Sequence, residues 1–399
     1  MRYVDFAAHN DEVRRVWHAY RSGQPVRPPM ILGINVRYTM WQPEANPNGI
    51  DFGRYFTDSN AMLQRQLEHK SWVRRHVPQD VEMGGAPEEG WDVQVDFLNS
   101  YEAGWFGCSL RFFDGEVPDS EPAFAEESQR LRLLQRGVPD LYDGGLMAQN
   151  WEFYEHFRQL QQDGFEYEGR PIRRVLPAGL GTDGPLTVAC NLRGAEQIYA
   201  DMALDPGYMR DLLEFITDGT IARIKAYRQR LGEAERTAGL GFADDAVQSI
   251  SAEMYRDLVL PCHRRLIEEL SDGTAANSIH LCGAATHHFA FLRDELNIQS
   301  FDTGFPIDFA QLRADLGPAV EIKGGPSVMF LHHATPAEVR QEVQRILASG
   351  VGAGRRLILR EANNLPPDVS LETLWAFYDA VREFGVYGES DHEEASACS

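Results

Sequence analysis

Ser278-Ile279-His280-Leu281-Cys282-Gly283 is a short apolar run that ends in polar groups, and together with residues 284–301 it reads as strand, helix, strand. His287-His288 stands at the start of the next helical pattern, and residues 298–301 form the next apolar run. Outward from this unit the same alternation recurs. Eight short apolar runs can be drawn, at residues 30–34, 93–98, 173–176, 239–243, 278–282, 298–301, 319–322 and 356–360. Strands that alternate with helices predict a parallel sheet. Eight of them, without a Gly-rich first turn, predict a (β/α)8 TIM barrel and disfavour a doubly wound sheet.

The helical stretches carry their own signals. Asp205-Pro206 supplies a capping carboxylate and a proline pre-set for the first turn, opening a helix to Leu231. Thr335-Pro336-Ala337-Glu338 is a capping box that puts Val339, Val343 and Ile346 on one face. Ser251-Ala252-Glu253 opens a helix toward Leu270, and a last helix covers 371–384. One domain is expected over 1–388, with an N-terminal extension before the first run. The stretch at about 101–172 is too long for a simple connection and reads as an insertion over the barrel mouth. Residues 389–399 form a polar tail, in which Cys398 has no expected role.

Of 399 residues, 43% are hydrophobic and 25% charged, an ordinary balance with ample core. The net charge of −22 repels phosphate backbones and anionic membrane surfaces, so a small molecule or a protein is the expected partner. No apolar stretch approaches the roughly 20 residues that span a bilayer. Five cysteines without paired spacing and a charged start predict a reduced, cytoplasmic protein.

In a barrel, chemistry sits at the carboxyl ends of the strands. Those ends carry Asn35 and Arg37; Asn99, Tyr101 and Glu102; Asp183; Asp244 and Asp245; His280 and Cys282; Asp302; Lys323; and Glu361 with Asn363. On a strand, residues i and i+2 face the same way, so His280 and Cys282 can offer nitrogen and sulfur to one ion, for which zinc is the natural choice. Asp302, at the end of the next strand, is the expected third ligand. Asp244, Asp245 and Glu361 are candidates for proton handling, with Asn35, Tyr101, Asp183, Lys323 and Asn363 as candidate substrate contacts. His263, beside Arg264 and Arg265, is placed on a wet helix face. The competing reading is a buried histidine bonded to a neighbouring carboxylate, with Cys282 as a small core residue.

Several segments in order complete the pattern: Asp183-Gly184-Pro185-Leu186-Thr187, Asp205-Pro206, Ala243-Asp244-Asp245, Ile250-Ser251-Ala252-Glu253-Met254-Tyr255, His280-Leu281-Cys282-Gly283, Gly324-Gly325 and Leu365-Pro366-Pro367-Asp368. Together they resemble the uroporphyrinogen decarboxylase-like superfamily of barrels, nearer its zinc- and corrinoid-linked methyltransferases than its decarboxylases. The resemblance implies zinc on His280 and Cys282, an acidic ligand at Asp302, and a separate corrinoid protein as partner, since this chain has no Asp-x-His-x-x-Gly run of its own. It also implies a late cysteine ligand, where this chain has Asn363, with Glu361 nearby as a substitute oxygen donor. The decarboxylase branch is matched at Arg27-Pro28-Pro29, but Met30-Ile31-Leu32-Gly33-Ile34-Asn35 replaces its arginine-rich continuation.

The expected activity is therefore zinc-dependent and methyltransferase-like, acting on a small methylated substrate or methyl acceptor. The alternatives are a metal-independent decarboxylase or lyase and a non-catalytic barrel that binds a small ligand.

Overall fold

A computed structural model describes residues 2–388; the acidic tail at 389–399, with Cys398, lies outside the described residues. The chain forms a TIM-type barrel. Its strands are β1 (Trp91–Gln94), β2 (Arg170–Leu176), β3 (Gly241–Ala243), β4 (Asn277–Leu281), β5 (Ile298–Thr303), β6 (Glu321–Gly324) and β7 (Leu357–Leu359). The last five are parallel neighbours in the order β7-β6-β5-β4-β3. Met30 adds a parallel bridge to Leu359 on the outer edge of β7. At the other edge the Ala243 N–H donates to the Thr182 carbonyl at 3.3 Å, joining β3 to the segment after β2. β2 in turn pairs in parallel with β1. All eight expected runs thus contribute to the barrel.

The run expected at 30–34 keeps only Met30 and the Ile31 N–H, which donates to the Leu359 carbonyl at 2.9 Å, in the ladder. The reason is local: the Gly33 N–H is taken by the Glu361 carboxylate at 2.6 Å, and Asn35 caps the turn Val36–Thr39. The run at 93–98 also stops early, because Asp96 Oδ1 accepts the Leu98 N–H at 2.9 Å and turns the chain.

Alternation along β4 decides which side chains see the interior. Asn277, Ile279 and Leu281 are buried toward the helices, while Ser278 and His280 are half-buried on the other face. Ile298, Phe301, Ile322 and Leu357 pack outward in the same layer and are fully buried. A second apolar cluster, with Phe52, Phe56, Phe97 and Phe157, surrounds β1. Ahead of the barrel, helix α1 (Phe6–Arg21) is tied down through Arg27, whose guanidinium bridges Asp80 at 2.7 and 2.8 Å and Glu12 at 3.0 Å.

Five helices matter for the site and the elements around it: α2 (Pro185–Arg193), α3 (Pro206–Arg230), α4 (Leu260–Leu270), α5 (Pro336–Ala348) and α6 (Leu371–Phe384). The capping box at Thr335 forms as expected, and Val339, Val343 and Ile346 are buried. The helix expected from Ser251 to Leu270 is interrupted by a π turn at Tyr255–Val259. The insertion expected at about 101–172 supplies Tyr101 to the interior cavity and packs Tyr142 against α3, its hydroxyl donating to the Ala226 carbonyl at 3.1 Å. Among the described residues no helix is long and apolar enough to cross a membrane.

Candidate active site and metal centre

Strand register assembles the site. Ala243 pairs with His280, His280 with Asp302, and Asp302 with Lys323, so these four lie in one row across β3 to β6. Just past the ends of β3 and β4, Asp245, at the start of a 3-10 turn, and Cys282 bring their side chains to His280. His280 Nε2 lies 3.0 Å from Cys282 Sγ and 3.8 Å from Asp245 Oδ1. One ligand atom from each of Asp245, His280 and Cys282 lies within 4.8 Å of the others. Zinc bonds of about 2.0–2.3 Å imply tetrahedral edges of roughly 3.5 Å. The nitrogen, sulfur and oxygen set fits such an ion with one position left open.

Asp302, expected in the metal shell, is placed elsewhere. Its Oδ2 stands 3.0 Å from His280 Nδ1, the ring nitrogen opposite the cluster, and takes Arg360 Nη1 at 2.5 Å. With that oxygen occupied behind the ring, the third donor in front is Asp245. Burial disfavours the imidazolium of His280, but the carboxylates of Asp302 and Asp245 outweigh it and raise its pKa. Burial, reinforced by the Asp245 charge, pushes the Cys282 thiol up, so it holds its proton unless a cation compensates. The Cys282 N–H also donates to Asp245 Oδ1 at 2.7 Å.

A cavity of about 410 Å³ opens on this row, with Tyr101, Asp183, Ser278, His280, Asp302 and Lys323 in its lining. Asp183 is pushed up to about 8 by burial and by the nearby charges of Glu102 and Asp245. Burial and its acidic neighbours thus favour its protonated form, which can donate a hydrogen bond. Its N–H donates to Glu102 Oε2 at 2.7 Å, and Glu102 is fully buried against Arg223 at 2.7 Å. Lys323 Nζ lies 3.4 Å from Glu321 Oε1.

Other expected site residues are used structurally. Asp244 is fully buried: it accepts the N–H groups of Leu186 (3.1 Å) and Thr187 (2.8 Å), capping α2, and faces His263 Nε2 at 2.9 Å. It is absent from the cavity lining, its oxygens committed to the α2 cap and to His263. His263, expected on a wet face, is 0% exposed and bonded through Nδ1 to the Tyr255 hydroxyl at 2.7 Å. Successive helical residues point about 100° apart, so the exposure of Arg264 says little about its neighbour.

Asn35 spends its side-chain oxygen on the Arg37 N–H at 3.0 Å, and it is absent from the cavity lining. Asn363 stands at φ 89 in a turn, its Oδ1 accepting the Asn364 N–H at 2.8 Å. Neither is presented to the cavity as a substrate contact. Glu361 is fully buried on the Gly33 N–H and takes no part in the donor cluster. Arg360 and Arg223 could not be singled out from the sequence, because nothing in local spacing marks an arginine that serves a carboxylate from a distant strand.

The uroporphyrinogen decarboxylase (URO-D) family description matches residues 101–384, more than two thirds of the chain. The chain belongs to that family. A methylated-thiol–coenzyme M methyltransferase of Methanosarcina mazei is 28% identical over 91% of this URO-D chain and 90% of its own length. The methylcobamide:CoM methyltransferase MtbA of the same organism is 21% identical over 74% of this chain and 84% of its own. A uroporphyrinogen decarboxylase of Xanthomonas euvesicatoria pv. vesicatoria is 28% identical over 69% and 75%.

Among solved structures, a methyltransferase from Methanosarcina mazei superposes with a TM-score of 0.62, covering 93% of this chain and 98% of its own at 16% identity. That likeness is one of fold. These relatives are all enzymes, and so is this URO-D protein; its similarity extends further along the chain for the methyltransferases than for the decarboxylase.

Proposed function

We propose that this chain is a zinc-dependent, methyltransferase-like enzyme of the cytoplasm that acts on a small methylated substrate or methyl acceptor, with a separate corrinoid protein as methyl carrier. Residues 1–388 are read as one catalytic domain. The observation that carries the reading is the convergence of Asp245, His280 and Cys282, of which His280 also lines the cavity. Zinc bound there supplies Lewis acidity to a substrate heteroatom at the open position.

The protein's own groups do the rest. His280 is held from behind by Asp302, and Cys282 is released from its buried, protonated state when a cation offsets the charge of Asp245. Protonated Asp183 donates to the substrate, Tyr101 closes one wall, and Lys323 faces developing negative charge. A cavity of about 410 Å³ suits a small molecule.

Zinc content of protein purified without added metal tests the reading. Near-stoichiometric zinc is expected in the wild type, with loss in His280→Ala, Cys282→Ser and Asp245→Ala. Demethylation of free methylcobalamin by a small thiol should vanish with the metal. Activity that survives chelation would instead favour a metal-free lyase, and protein that binds no zinc at neutral pH would sink the proposal.

A further inference from the structure

β7 ends at Leu359, and the next residue, Arg360, belongs neither to the donor cluster nor to the cavity wall. Its guanidinium is nonetheless largely enclosed and committed on several sides. Nη1 lies 2.5 Å from Asp302 Oδ2, Nη2 3.5 Å from Glu361 Oε1, and Nε donates to the Glu361 carbonyl at 3.3 Å. Nη2 also reaches the Asn363 carbonyl at 3.5 Å. The first-strand segment is cut back to admit it: a Cβ at Gly33 would collide with both Arg360 Nη2 and the Glu361 carboxylate. A side chain fixed by two backbone carbonyls and two carboxylates has little rotational freedom left.

We propose that Arg360 is a positioning residue for the metal centre, clamping Asp302 so that His280 presents Nε2 to Cys282 and Asp245. This rests on the zinc-centre proposal and deepens it. A neutral imidazole has one lone pair to give, and the partner of the other nitrogen decides which one it is. Asp302 alone, swinging about its side-chain torsions, would hold the ring loosely. Asp302 Oδ2 is gripped by Arg360 at 2.5 Å and stands 3.0 Å from Nδ1, at ion-pair distance without a hydrogen bond of full geometry, so it is the arginine that fixes where the carboxylate sits behind the ring. The carboxylate behind a metal-bound histidine normally affects affinity; here an arginine stands one step further back.

The test measures zinc affinity by competition with a chromogenic chelator for the wild type, Arg360→Gln, Arg360→Lys, Asp302→Asn and His280→Ala. It adds ¹⁵N shifts of the His280 ring in the zinc-loaded protein. Arg360→Gln should weaken zinc binding by about 10- to 100-fold, Arg360→Lys should recover part of it, and the combined Arg360→Gln/Asp302→Asn variant should lose less than the sum of the two. In the wild type the His280 Nδ1 proton should be visible and Nε2 metal-shifted, with that pattern degraded in Arg360→Gln.

Folded Arg360→Gln that binds zinc within about threefold of wild type, while His280→Ala binds none, would overturn the positioning role and leave the zinc reading intact. Wild-type protein that takes up no zinc would overturn both. If Arg360→Gln does not fold, Asp302→Asn decides, and unchanged affinity in that variant overturns the proposal.

Discussion

Glu361 shows how much a single side chain can hide. It is fully buried, one oxygen is satisfied by Gly33, and the other has no hydrogen-bond partner in its surroundings. Burial pushes its pKa up to about 7 from the usual 4.5. A carboxyl whose pKa is raised in the fold contributes fully below about pH 4.5 and loses that contribution as pH rises through 7. Glu361→Gln keeps the acceptor for Gly33 without the charge. Relative to wild type, it should gain up to about 3 kcal/mol of unfolding free energy between pH 4.5 and 8, at about 1.36 kcal/mol per pKa unit. Urea titrations at the two pH values check this, and parallel pH profiles for the two proteins would refute it. At this scale the sequence was informative about His280 and Cys282, because strand periodicity alone puts i and i+2 together. It was silent on which of two adjacent aspartates would join His280 and Cys282, since Asp244 and Asp245 look alike until the chain turns.

At the scale of elements, the two aspartates part company in a measurable way. Asp244→Ala leaves the Leu186 and Thr187 N–H groups and His263 Nε2 without their acceptor in a site closed to water. A lost cap and a stranded buried donor together should cost about 3 kcal/mol, read in a denaturant melt. Asp245→Ala, at a carboxylate one third exposed, should change stability of the metal-free protein by less than about 1 kcal/mol and yet abolish zinc uptake. Equal destabilisation by the two would undo the division of labour. Most elements were readable beforehand where chemistry is local: the Thr335 box, the Asp205-Pro206 start and the later apolar runs. The failures are non-local. Residues 32–34 leave the ladder because Gln79 and Glu361, the latter over three hundred positions away, claim the Leu32 and Gly33 N–H groups, and the π turn at Tyr255–Val259 has no spacing signal.

Taken whole, the molecule draws its three candidate metal donors from β4 and the loops after β3 and β4, and the groups behind them from β5 and the residue after β7. A ligand that binds only this folded arrangement stabilises it by mass action. Zinc at 100 times its dissociation constant should add about 2.7 kcal/mol to unfolding free energy, and chelation should remove it. The same titration on Cys282→Ser should be flat; a wild-type melt indifferent to chelation would count against a structural contribution from the ion. The barrel itself was foreseeable from eight alternating runs, whereas the convergence of donors was not, because register between strands is written in packing and only indirectly in any one strand.

The loop beyond β5 comes so near β4 that a side chain at Gly304 would run into the backbone of Cys282 and Gly283. The thiol's anchorage is thus wedged directly against its neighbour, with no slack between them. One methyl, introduced as Gly304→Ala, becomes a molecular shim: it would spread the two staves by pushing on the backbone that carries the thiol, moving Cys282 relative to His280 with every side chain of the cluster still present.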